Sequence, residues 1–157
     1  MSNDYQVTLS CMLKPGVLRD HLAAALQPLT EYYRLSLADL VSLGLNPEVE
    51  QYIRLPDLKH GGELTLAIHA RADASVISRL RKAGQCLVPL ITGAGYAMAC
   101  NHDAVDPDDA YTPIWFGEPA AVACLLRKEA VAAALQTLQT HFSQETVDQV
   151  KQLLAAA

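Results

Sequence analysis

The chain has 157 residues, an apolar fraction of 51%, a charged fraction of 18% and a formal net charge of −5. That length fits a single domain over residues 1–157, and a domain near this size buries about 70% of its unfolded surface. The acidic balance excludes a general phosphate-binding role, which needs Lys and Arg gathered on one face, and the apolar content excludes intrinsic disorder.

The first residues, MSNDYQVTL, lack the basic and then apolar regions of a signal peptide, so a cytoplasmic location is expected. Tyr5, Val7, Leu9, Cys11 and Leu13 then alternate with Gln6, Thr8 and Ser10, the two-residue period of a half-buried strand. Lys14-Pro15-Gly16 ends it. Leu18, His21, Leu22, Ala25 and Leu26 predict a short helix, which Pro28 is expected to break and restart. Leu29, Tyr33, Leu37, Leu40 and Val41 form one stripe of the next helix, with Gly44 and Pro47 as its stop signals. Val49 to Leu55 reads as a strand, PDLKHGG as a connection, and Leu64, Leu66, Ile68 and Ala70 as the inner face of another strand. Asp73 is the expected N-cap of a helix carrying Val76, Ile77, Leu80 and Ala83, closed by Gly84.

From Ala83 to His102 there is no Asp, Glu, Lys or Arg. Pro89 and the glycines argue against a membrane-spanning helix there. Two buried strands are predicted instead, Cys86 to Ile91 and Tyr96 to Asn101, with Gly93-Ala94-Gly95 as a hairpin turn. An acidic loop from Asp103 to Asp109 follows. Ala110 to Phe116 reads as an edge strand or ordered loop, and Ala120 to Leu126 as a strand. Val131, Leu135, Leu138 and Phe142 mark a helix, and Ser143 can cap a last one bearing Val147, Val150 and Leu154. Val7-Thr8-Leu9, Leu64-Thr65-Leu66 and Ala121-Val122-Ala123 recur at a spacing of 57 residues, a pattern that an internal repeat would produce.

This order predicts an α+β fold: a mainly antiparallel sheet with helices packed on one face. Its core would be ferredoxin-like (split βαβ), with a C-terminal strand–helix–helix extension. The other sheet face needs a cover, from the terminal helices or from a second copy, so a homo-oligomer is expected. Cys11, Cys86, Cys100 and Cys124 show no C-x-x-C spacing and read as buried free thiols, not zinc ligands or disulfides. No Walker motif, nucleophile elbow or dinucleotide fingerprint occurs, and no cofactor or metal is expected.

Chemistry is expected where the uncharged stretch ends. In Cys100-Asn101-His102-Asp103 a carboxylate stands beside an imidazole, which suits general acid/base work, so His102 and Asp103 are the catalytic candidates. His69, Asn101, Tyr111 and Trp115 are the ligand-binding candidates, because they would combine hydrogen-bonding groups with an aromatic patch. A small cofactor-free enzyme using His102 and Asp103 is one reading. A divalent-cation site in the 102–109 loop is another, although Ile114 stands where the closing Glu of an EF-hand would be. The leading expectation is a non-catalytic cytoplasmic binding or regulatory module acting as a homodimer. It would take a small-molecule ligand or a protein partner, but neither nucleic acid nor membrane.

Overall fold

The computed structural model describes residues 2–38 and 49–156, so the expected stripe positions Leu40 and Val41 and the stop signals Gly44 and Pro47 lie outside the described residues. The chain divides into two compact units, Met1–Val122 and Ala123–Ala157.

The first unit is α+β. Five strands, β1 (Asn3–Leu13), β2 (Val49–Arg54), β3 (Gly62–Ala72), β4 (Ile91–Asn101) and β5 (Tyr111–Gly117), form one sheet in the order β2-β3-β1-β4-β5. Every neighbouring pair is antiparallel. β1 and β2 therefore run parallel with β3 between them, and β3 and β4 run parallel with β1 between them. The alternation in β1 is seen directly: Val7, Leu9, Cys11 and Leu13 are buried while Gln6, Thr8 and Ser10 keep partial exposure. Leu64, Leu66, Ile68 and Ala70 of β3, and Ala97 and Ala99 of β4, continue the buried face. On it pack α1 (Arg19–Tyr32), through Leu22, Ala25, Leu26 and Leu29, and α2 (Ser75–Leu87), through Val76, Leu80, Ala83 and Leu87.

Several local expectations are corrected. Pro28 does not break its helix; α1 runs through it to Tyr32. A proline inside a helix costs about 3 kcal/mol, and the burial of Leu26 and Leu29 beside it, at about 1.5–3 kcal/mol for each side chain, offsets that. Two residues beyond its end stands Arg34, whose φ is 55°.

The uncharged stretch is not a strand–turn–strand hairpin. Its first part continues α2 to Leu87, a single 3₁₀ turn follows at Val88–Leu90, and β4 then runs unbroken through Gly93, Ala94 and Gly95. Gly84 and Gly95 serve packing, while Gly93, with a φ of 75° and open space at its Cβ position, serves backbone conformation within the strand. A Cβ on Gly84 would lie 2.8 Å from Cδ1 of Phe116, and one on Gly95 would overlap the far edge of the same ring. Both residues make room for Phe116, which is why Gly84 does not stop its helix. Opposite Gly93–Gly95 the pairing with β1 shifts between Ser10 and Met12, so the run forms a bulge.

Ala120 to Leu126 is helical, not extended: it lies in α3 (Pro119–His141). Pro at the first position and an Ala- and Leu-rich run favour that state, and a short apolar run has no period to separate strand from helix. The 57-residue spacing is thus no repeat of one strand unit, since its third member is in a helix. The strand of the C-terminal strand–helix–helix segment is instead β5. Three thiols differ from the expected burial as well: Cys86 and Cys124 are exposed, on α2 and α3, and Cys100 is only partly buried, while all four cysteines are free as expected.

In the second unit α3 continues and α4 (Gln144–Ala156) follows. Ser143 caps α4: its Oγ accepts the Thr146 N–H at 3.4 Å, and its carbonyl accepts that of Val147 at 3.2 Å. Val131, Leu135 and Leu138 of α3 line an apolar groove with Val150 and Leu154 of α4. Among the described residues no helix is long and apolar enough to cross a membrane.

Candidate functional site

The side chains that alternate away from the core form the second face of the sheet, and strand register places them in rows. Cys100, Gln6 and His69 form one row across β4, β1 and β3; Met98, Thr8 and Ala67 form the next; Tyr96, Ser10 and Thr65 form a third. β5 adds Tyr111, Pro113 and Trp115 to successive rows, and β2 adds Tyr52 beside Ala67.

The first row holds the chemistry. His69 Nε2 lies 2.8 Å from Oδ1 of Asp4, an ion pair when the ring is protonated. Asp4 reaches it diagonally, since register pairs His69 with Gln6, two residues along β1. The His69 ring also meets that of His102, centroid to centroid at 5.4 Å and inclined at 62°. His102 stands just beyond β4 and is held there by backbone: its N–H donates to the Asp4 carbonyl at 2.9 Å. Cys100, two residues earlier on the same face, has its Sγ 4.0 Å from Nδ1 of His102. Three strands thereby bring together Asp4, His69, Cys100 and His102.

Asp103 has a different position from the one its sequence neighbour implies. Its Oδ2 accepts the Asp4 backbone N–H at 2.8 Å, so its carboxylate fastens the exit of β4 to β1. The carboxylate paired with an imidazole here is Asp4, beside His69. Asn101 likewise organises the turn, its Oδ1 accepting the Asp103 N–H at 3.2 Å. It lines a shallow concavity of about 650 Å³ with Asn3, Asp103, Asp106 and Asp109. In that loop Asp106 Oδ1 accepts the Asp108 N–H at 2.9 Å. Among the described residues no group of three or more His, Cys, Asp or Glu side chains is placed to hold a metal ion.

A smaller cavity, about 260 Å³, lies on the sheet at His69, lined by Gln6, Gln51, Tyr52, Ala67 and His69. Its walls offer amide, phenol and imidazole groups, which both donate and accept hydrogen bonds. Tyr111, 60% exposed, stands beside Cys100 at the edge of the first row. Trp115 is apart from it. It packs on Tyr96 with ring centroids 4.4 Å apart, and lies three strands and two rows from His69, about 20 Å by sheet geometry. The candidates therefore separate: His69 and His102 share a cluster, Asn101 belongs to the acidic concavity, and Trp115 to a distant aromatic pair.

Asp4, Gln6 and Tyr52 were not singled out by the sequence. Asp4 and Gln6 do sit on the polar parity of β1, as His69 does on that of β3; what sequence lacks is the register that sets them side by side. Burial pushes the Cys11 thiol up to about 12, leaving it a structural group. Burial also raises the Tyr33 hydroxyl, with a further contribution from Tyr32, whose ring meets it edge-on at 5.0 Å.

No family model, no curated protein and no solved structure matches this chain.

Proposed function

We propose that the chain is a non-catalytic binding module whose ligand, a small polar molecule, sits on the second face of the sheet over Gln6, Tyr52 and His69. The observation that carries this reading is the cavity at His69, with the Asp4 carboxylate 2.8 Å from the imidazole and His102 packed beside it. A pre-set polar rim around a modest cavity is the lining of a recognition site, and its volume selects a ligand smaller than a drug-sized molecule. The strand order supports a ferredoxin-like reading of the core: β4-β1-β3-β2 with α1 and α2 as crossovers is a pair of split βαβ units. That arrangement hosts many functions, so the function rests on the site alone.

A catalytic reading has one observation in its favour, the Asp4–His69 pair. It would make His69, not His102, the proton acceptor. One experiment separates the two. The protein is screened by thermal shift against the amino acids and small carboxylic acids, and the hits are then analysed by mass spectrometry. A ligand at a hundredfold excess over its Kd stabilises by about 2.7 kcal/mol. At least one compound is expected to raise Tm by several degrees, to lose that effect with Gln6→Ala and His69→Ala, and to be recovered unchanged. Conversion of the compound would favour catalysis, and an effect that survives both substitutions would remove the site.

A further inference from the structure

We infer that Cys100 is a nucleophilic thiol, with His102 as its proton acceptor, and a site of covalent modification by soft electrophiles. The inference is independent of the ligand reading.

A thiol reacts as its thiolate, so a base within reach of the sulfur governs its rate. Cys100 and His102 are two residues apart at the end of a strand, a spacing that turns both side chains to the same face. The separation found, 4.0 Å from Sγ to Nδ1, is within reach of a sulfur hydrogen bond. His102 is fixed on both sides: its backbone bonds to Asp4, and its ring meets that of His69. Cys100 lies on the sheet face away from the core and is only partly buried. Cys11 is buried, and neither Cys86 nor Cys124 has a His within two residues on its helix.

The step balances as follows for iodoacetamide. The thiol proton passes to Nδ1 of His102, the sulfur forms a bond to the methylene carbon, the carbon–iodine bond breaks, and iodide leaves. A natural electrophile with an activated double bond would add at its β-carbon, and the proton held by His102 would return to the α-carbon.

The test uses the native full chain with limiting iodoacetamide, and reads the alkylation rate of each cysteine by peptide mass spectrometry. An ordinary thiol is only a few per cent thiolate at neutral pH, which leaves room for a gain of about tenfold. Cys100 is therefore expected to react about tenfold faster than Cys86 and Cys124, although those two are more exposed. His102→Gln and His102→Ala should each bring Cys100 down to their rate and leave theirs unchanged. Continued protection of Cys11 reports that each variant is folded. A Cys100 rate no higher than those of Cys86 and Cys124, or a lead that survives both His102 substitutions, overturns the inference.

Discussion

Phe116 shows at the scale of single residues how a strand and a helix fix each other's composition. Its ring is buried between α2 and β4, and neither Gly84 nor Gly95 can carry a Cβ without meeting it. Gly84→Ala and Gly95→Ala should each destabilise the fold by about 1–3 kcal/mol through overpacking. In a Phe116→Leu background the Gly95→Ala cost should shrink, with a coupling of about 0.5–3 kcal/mol in a urea double-mutant cycle. Additive costs would mean that the glycines are needed for another reason. From sequence both residues read as punctuation, because a glycine required by a neighbouring ring and a glycine required by a turn are the same letter. The histidines are a similar case. His69 was visible as a polar group on a strand, His102 at a strand exit and Cys100 as a thiol, but the pairing that joins them depends on register across three strands.

At the scale of elements, two carboxylates hold connections in place. Asp57, in the turn before β3, is kept below the ordinary carboxylate range first by the hydrogen bond with His60, at 2.7 Å, and then by the Lys59 N–H. Asp73, ahead of α2, is kept low by its hydrogen bonds with Ser75, whose N–H reaches it at 2.8 Å. The sequence predicts Asp73 as the N-cap; that position is Ala74, and Asp73, one residue earlier, still accepts the N–H of the first helical residue. A folded-state pKa below the unfolded value contributes stability above the unfolded pKa, near 3.9, that is lost as pH falls through the folded one. Tm should therefore fall between about pH 5 and about pH 3, and less steeply in the Asp57→Asn, Asp73→Asn double variant, whose amides can still accept the backbone bonds. Parallel curves for the two proteins would contradict these roles. Elements with a clear period, β1, β3 and α2, were legible in the sequence. The two misread segments, Cys86 to Ile91 and Ala120 to Leu126, are apolar runs without one, and there tertiary packing and Ala-rich helix propensity decided the outcome.

At the scale of the whole molecule, the α+β class and the antiparallel sheet follow from the order of periodic segments. The position of the candidate site does not, because it is set by the strand order β3-β1-β4, which brings residues 4, 69 and 102 together. Among the described residues, three concavities differ in chemistry: the polar one at His69, the acidic one at Asp103 to Asp109, and the apolar groove of the second unit. Of these three, the first alone joins hydrogen-bonding walls to an imidazole paired with a carboxylate, and the proposed ligand is assigned there. The most direct test is a carbon-13 NMR titration of the full chain with the compound that gives the largest thermal shift. Saturable shifts are predicted at the His69 imidazole, the Ala67 methyl and the Tyr52 ring, with Val105 and Leu135 unmoved. Shifts centred on Ala104 and Val105, or on Val131, Leu135 and Leu138, would place the ligand elsewhere and contradict the assignment.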